Sequence, residues 1–236
     1  MIFKRNKLVP VQYVLDTRKL SMQNLPKGLF LNIEKQYSPL DIGCPAIAAS
    51  NNKLFDVPSP FSLDLTFGRD ESGEIYWRYD FDTKIHRDWG QSIHDFLPDM
   101  CSTSSNGNSV QMRMMLPYIL VTDEKDTSMM ILPPHGIKYE NCYFVSGEFI
   151  FTDWINQFAS AWVLQDESKP AVVHLEVGKP CVSLCFNKQV QLSYTEMTET
   201  IYNYFGQMYD LPFYRKNGSD ALFDTIKSRR PKKLLK

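Results

Sequence analysis

Four histidines are the side chains best suited to metal or acid–base chemistry in this sequence, at positions 86, 94, 135 and 174. His86 and Asp88 form an H-x-D triplet, and His174 follows much later within an apolar stretch. Two imidazoles and one carboxylate can hold Fe(II) while leaving positions open for oxygen and a co-substrate. Lys179, just beyond His174, would pair with an oxoacid carboxylate. One hypothesis is therefore a jelly-roll oxygenase dependent on Fe(II) and 2-oxoglutarate.

The same residues also have a plainer interpretation. H-x-D triplets arise often by chance, and Lys179 occupies a tight Gly-Lys-Pro turn. His86 and His94 flank a Trp-Gly-Gln segment, so His86 and Gln91 equally suit a short binding loop. His135 stands between two prolines and a glycine, where a hydrogen-bonding turn residue is expected.

Other catalytic patterns do not appear in the sequence. It contains no glycine-rich phosphate loop, no G-x-S-x-G elbow and no H-E-x-x-H helix. The five cysteines are odd in number and widely spaced, which disfavours a disulfide framework or a zinc site. Buried thiols are predicted at Cys181 and Cys185, and Cys44 and Cys142 have no neighbouring base to activate them. Apart from the iron alternative, no cofactor is expected.

Composition indicates a folded chain whose net charge is too small to create a strong electrostatic field. Of 236 residues, 43% are hydrophobic and 13% aromatic, enough for a sizeable core, and the net charge is −1. No apolar run approaches the roughly 20 residues that span a bilayer, and the basic segment 1–7 is not followed by a signal-peptide pattern. We expect no membrane partner and a location in the cytoplasm of the producing cell.

A basic tail ends the chain. Residues 227–236 carry six Lys or Arg and no acid. We interpret them first as a solvated tail. Sequence-independent, salt-sensitive contact with nucleic acid and docking on an acidic partner are the alternatives. The basic side chains concerned are Arg229, Arg230, Lys232 and Lys233.

Periodicity predicts a mainly β chain: an antiparallel jelly roll, β-sandwich or barrel with a C-terminal helical segment. Residues 1–40, interrupted by prolines, are predicted to be an irregular arm that wraps the core. About eight strands fall within residues 41–190, and a hairpin of 61–67 with 74–79 is the clearest of them because apolar and polar residues alternate. Residues 98–109, rich in Ser, Asn and Gly, are predicted to be a loop.

The final segment, 191–236, changes to helical spacing. Ser193 and Glu196 suit an N-cap and capping box, and apolar residues then recur at helical intervals as far as Met208. A second helix is predicted over 219–228. The three segments together are expected to form one domain.

Several segments resemble a family of proteins encoded by tailed bacteriophages, many of them marine. No agreed activity comes with that protein family. The similar segments are 114–122, 129–134, 145–153 and 175–186, together with the upstream 43–67, and the family carries a His and Gln pair like His86 and Gln91. The resemblance implies a phage protein found in the virion or in the host cytoplasm.

The segments 145–153 and 175–186 also resemble, more remotely, the β fold of dUTPase and dCTP deaminase. In that group a carboxylate on the strand activates water, whereas here Phe151 stands at the matching place and only Asp153 is retained. Loss of a general base lowers the rate by orders of magnitude. The resemblance therefore implies a β scaffold and argues against nucleotide hydrolysis.

Three hypotheses follow. The first is a non-catalytic phage protein, either a virion component or a module that binds a phage or host protein, with self-association possible. The second is the oxygenase that uses His86, Asp88 and His174. The third is a degenerate, dUTPase-like nucleotide-binding protein.

Overall fold

The computed structural model describes residues 8–16, 33–35, 52–81, 90–106, 109–151, 157–209, 230–231 and 233–235. Within them the chain forms fifteen strands and two helices. The first strands are β1 (Val9–Leu15), β2 (Glu34–Lys35), β3 (Leu54–Pro58), β4 (Leu63–Arg69), β5 (Ile75–Phe81), β6 (Cys101–Asn106), β7 (Ser109–Val121) and β8 (Met129–Leu132). The others are β9 (Lys138–Glu140), β10 (Cys142–Phe144), β11 (Gly147–Phe149), β12 (Gln157–Leu164), β13 (Ala171–Leu175), β14 (Pro180–Phe186) and β15 (Val190–Tyr194). The helices are α1 (Gly90–Met100) and α2 (Glu199–Tyr209).

The strands form three sheets, of six, five and four strands. The six-stranded sheet has the order β10-β12-β7-β1-β15, with β6 also paired to β7; the other two have the orders β11-β8-β14-β3-β2 and β5-β4-β13-β9. Every strand pair is antiparallel except β1 with β15. None of the three closes on itself among the described strands, so the predicted mainly β, sandwich-like class with a C-terminal helix is confirmed.

A common core joins the three sheets because alternate side chains of their strands point the same way. Val11 of the six-stranded sheet, Leu65 of the four-stranded sheet and Leu184 of the five-stranded sheet are all fully buried in one apolar cluster. The predicted hairpin is confirmed as β4 and β5, which pair in an unbroken register from Leu63 with Phe81 to Arg69 with Ile75. This hairpin supplies two strands of the four-stranded sheet.

The irregular arm predicted for residues 1–40 is wrong for Val9–Leu15. This segment is a strand between β7 and β15, with Val11 and Val14 fully buried. Pro10 misled the prediction because proline cannot donate to a ladder. It pairs with Gln191 of β15, whereas the pairing with β7 begins only at Gln12, so Pro10 occupies a part of the strand that is paired on one side.

The loop predicted for residues 98–109 is also wrong where the structure describes it. Helix α1 extends to Met100, and β6 follows at once, pairing with β7 from Cys101 opposite Met114 to Asn106 opposite Ser109. Serine and asparagine, which make up four of the six residues of β6, have little preference for strands by themselves. Pairing with the long strand β7 overrides that preference.

The C-terminal helix is confirmed, but it begins later than predicted. Ser193 belongs to β15, and the hydroxyl of Thr198, just before α2, accepts a hydrogen bond from the Ile201 N–H at 3.3 Å. Ile201 and Phe205 of α2 pack on the six-stranded sheet in a second, smaller apolar cluster. The helix predicted over 219–228 lies outside the described residues. None of the described helices is long and apolar enough to cross a lipid bilayer.

Candidate functional site

His174 lies on the polar face of the four-stranded sheet. Antiparallel pairing places it opposite Asp64 of β4 and opposite Lys138 of β9, while Asp64 in turn is opposite Asp80 of β5. Residues opposite each other in an antiparallel sheet point to the same face. Asp80, Asp64, His174 and Lys138 therefore form one row across all four strands.

Both ring nitrogens of His174 have a carboxylate nearby. Nδ1 lies 2.8 Å from Asp64 Oδ1, and Nε2 lies 3.7 Å from Glu140 Oε1. The first distance is that of a hydrogen bond, whereas the second allows only charge attraction when the imidazole is protonated. Donation from Nδ1–H to Asp64 fixes the ring and leaves Nε2 on the side of Glu140, so His174 links β4, β13 and β9.

A cleft of about 510 Å³ opens beside this row. His174 and Lys179 both line it, together with Lys138, Glu140 and Glu176. The tight turn predicted around Lys179 is present, since Gly178 has a φ of 78° and the Lys179 N–H donates to the Glu176 carbonyl at 3.0 Å. The cleft thus combines cationic and anionic side chains on an open surface.

Only one of the three predicted iron ligands lies in the part of the chain that the structure describes. His174 is described, but His86 and Asp88 lie outside the described residues. Asp64, which sequence reasoning missed, is the carboxylate beside His174; the alternation of β4 placed it on the polar face, but nothing in the sequence paired β4 with β13. Among the residues that the structure describes, no group of three or more His, Cys, Asp or Glu is arranged to hold a metal ion.

Gln91 and His94 belong to α1 rather than to a loop. His94 Nδ1 lies 2.7 Å from the Tyr79 hydroxyl, and its ring meets Phe81 edge-on at 4.8 Å between centroids. Gln91 donates to Asp95 at 3.2 Å on the exposed side of the helix. Burial, and then the negative charge of Asp95, raises the pKa of Tyr79. His94 therefore fastens α1 to β5. His135 lies exposed in a turn, and the hydrogen bond expected of its side chain stays a prediction.

The described thiols are mostly buried. Cys101 and Cys181 lie in the core, and burial raises the pKa of each to about 12. Such thiols stay protonated at neutral pH and are poor nucleophiles. The buried thiol predicted at Cys181 is confirmed, Cys185 is half-buried, and Cys44 lies outside the described residues.

Phe151 stands where the dUTPase-like pattern would have its general base. Its side chain is buried and packs edge-to-face on Phe186, with 5.9 Å between the ring centroids. A phenyl ring in the core cannot take a proton from water. Asp153, the acid retained from that pattern, lies outside the described residues.

The described part of the basic tail packs against the chain itself. Arg230 donates to the Thr122 carbonyl, Asp123 accepts hydrogen bonds from the backbone N–H groups of Leu234 and Leu235, and Leu234 is buried beside α2. The solvated-tail interpretation is therefore wrong for these residues, because a buried leucine and a carboxylate cap hold them. Lys233 is exposed, and Arg229 and Lys232 lie outside the described residues.

One short stretch supplies an end strand to every sheet. β9, β10 and β11 lie at the ends of the four-, six- and five-stranded sheets, and each has a single neighbour among the described strands. Exposed apolar side chains are concentrated there. Met130 of β8 is also exposed, and it lies opposite Glu148 of β11. The exposed apolar residues of the stretch are Tyr139, Tyr143, Val145, Phe149 and Ile150. We call the exposed side chains of Tyr143, Val145, Phe149 and Ile150 the apolar edge.

Fold and geometry thus define a mainly β, sandwich-like protein with a polar cleft and an apolar edge. No protein-family model matches the sequence, and neither the curated proteins nor the solved structures give a match.

Proposed function

We propose that this chain is a non-catalytic protein-binding module of a tailed bacteriophage, carried in the virion or acting on a phage or host protein in the infected cell. The observation that carries the proposal is the apolar edge. Phe149 is 40% exposed and Ile150 is 52% exposed, on and beside β11, which pairs only with β8 among the described strands. Exposed aromatic and aliphatic side chains on an end strand are features that an extended partner segment uses.

The short length of the edge strands favours binding to one partner over open-ended addition of further strands. β10 and β11 have three residues each, and short end strands limit uncontrolled sheet growth. Exposed apolar groups on such strands add affinity only for a partner that covers them. This combination favours one defined contact.

Mass spectrometry of purified particles tests the virion form of this function. We expect the chain in the particles at a fixed ratio to other virion proteins. The double substitution of Phe149 and Ile150 by Asp should reduce its incorporation, because charge cannot be buried in the contact. Tyr202→Asp is the matched control, since Tyr202 is 50% exposed on α2, outside the apolar edge.

Each outcome of that experiment is informative. A chain that is absent from particles contradicts the virion form and leaves the partner-binding form in infected cells. Incorporation that is equal in the double variant and in wild type contradicts the role of the apolar edge.

The oxygenase remains a second candidate because His174 and Lys179 line the same cleft. Iron would be held by His174 together with His86 and Asp88, the oxoacid co-substrate would supply two electrons for the reduction of oxygen, and Lys179 would pair with the carboxylate of that co-substrate. Iron content of the purified protein, with and without 2-oxoglutarate, tests it. Iron retained by wild type and lost in His174→Ala would favour this candidate, and no bound iron would eliminate it.

A further inference from the structure

We propose that β9 is a self-pairing edge, through which two copies of this chain join their four-stranded sheets into one sheet of eight strands. The proposal goes beyond the partner-binding function and is independent of it, since it uses β9 and not the apolar edge. It rests on the free side of β9, on the order of its three residues and on the face that each residue occupies.

The free side of β9 is the first step. β9 pairs with β13 and has no second neighbour among the described strands, and all three of its residues are exposed. An end strand presents a row of backbone N–H and C=O groups that another strand can use. A Lys on such a strand normally discourages pairing, because it meets no opposite charge.

The order of residues in β9 supplies an opposite charge for its lysine. β9 reads Lys138-Tyr139-Glu140. In an antiparallel pair of two copies centred on Tyr139, each Lys138 lies opposite the Glu140 of the other copy, and the two tyrosines lie opposite each other. A two-fold contact is self-complementary in this way when the sequence carries opposite charges at equal distances from its centre.

The faces agree with this register. Lys138 lies opposite His174, and Glu140 lies opposite Val172, so both charges occupy the polar face. Tyr139 lies opposite the buried Val173, on the other face, and is 37% exposed. A two-fold axis perpendicular to the sheet preserves the faces, so the charges meet on one side and the tyrosine rings on the other. Opposite-charge and aromatic cross-strand pairs both stabilise antiparallel sheets.

Charge reversal tests the register. Sedimentation velocity should show a concentration-dependent dimer for wild type, twice the 27.4 kDa monomer. Lys138→Glu and Glu140→Lys should each weaken that dimer roughly tenfold or more, since each places like charges opposite one another twice. Mixing the two variants should restore association as a heterodimer, and a chain with both substitutions should dimerise again. Circular dichroism confirms that each variant is folded.

A symmetric crosslink gives a second readout that does not depend on charge. Residue 139 meets its own copy at the centre of the register, so Tyr139→Cys should form a disulfide-linked dimer under mild oxidation. Tyr202→Cys, exposed on α2, is the matched control, and wild type on the same gel accounts for the native thiols. A wild-type chain that stays monomeric at its highest attainable concentration overturns the proposal. A dimer that both charge variants leave unchanged overturns it too.

Discussion

Asn141 is the side chain that fixes the turn between β9 and β10. Its φ is 54°, in the left-handed region that asparagine tolerates better than most residues. Its amide donates to the carbonyls of Asp166 at 2.8 Å and Lys169 at 2.7 Å, and its oxygen accepts from the Asp166 N–H at 3.0 Å. The start of the edge-strand stretch is thereby tied to the turn between β12 and β13.

Asn141→Ala should lower the free energy of unfolding by about 2 kcal/mol, because these hydrogen bonds are lost and alanine is strained at this φ. Asn141→Gly loses the same bonds, but glycine adopts the backbone conformation freely, so it should cost less. Urea denaturation measures both. An alanine variant as stable as wild type would contradict the anchoring role.

Asp70 holds the β4–β5 turn in a pH-dependent way. Its carboxylate accepts hydrogen bonds from the hydroxyl and N–H of Ser72, at 2.6 and 2.9 Å, and from the Glu74 N–H at 2.9 Å. The Ser72 hydroxyl, followed by the backbone N–H groups, lowers the pKa of Asp70 from its ordinary value. Because the folded pKa is the lower one, this stabilisation is present above the unfolded value and is lost as pH falls through the folded value.

Asp70→Asn should therefore reduce the loss of stability on acidification. The urea midpoint of the variant should fall less than that of wild type between about pH 5 and pH 2. Glu71→Gln, in the same turn, is the matched control. Parallel acid profiles for wild type and Asp70→Asn would contradict this account.

Sequence reasoning reached His174 and Lys179 as site residues but missed Asp64. The alternation of β4 does place Asp64 on a polar face, and this much can be read from the sequence. Its contact with His174 requires β4 to pair with β13, which lies far along the chain. Pairing between distant strands depends on tertiary packing and loop closure, which local patterns do not encode.

At the scale of elements, local patterns predicted strands that carry their own signal. The β4–β5 hairpin has both alternation and a turn. β1 and β6 lacked such a signal, because Pro10 interrupts one and small polar residues fill the other. Each is a strand because a neighbour supplies the ladder: β7 and β15 for β1, and β7 for β6. Strand propensity depends on this context more than helix propensity does.

The C-terminal segment is an element whose packing can be tested. Leu234 is 2% exposed and contacts the cluster beneath α2, whereas the adjacent Lys233 is exposed. Leu234→Ala should lower the free energy of unfolding by about 2–3 kcal/mol, and Lys233→Ala should change it by less than about 0.5 kcal/mol. Thermal and urea unfolding measure the difference. Equal stabilities of the two variants would show that the tail is solvated after all.

At the scale of the whole molecule, the sandwich separates two surfaces by their chemistry. The four-stranded sheet presents a charged face around His174, and the stretch after β9 presents the apolar edge. Core formation explains neither surface, because the exposed side chains of the apolar edge and His174 are not among the buried residues of the described core cluster. Burial of exposed apolar groups by a partner lowers the free energy, so the apolar edge defines the proposed binding function.

Site-specific photo-crosslinking from Phe149 tests that central claim most directly. A photoreactive phenylalanine analogue is placed at position 149 in one variant and at position 202 in the control, and both are expressed in infected cells and recovered from the cells and from the particles. We predict that position 149 crosslinks to one discrete protein other than the chain itself and that position 202 does not. No crosslink from position 149, or the same products from both positions, would contradict a binding function at the apolar edge.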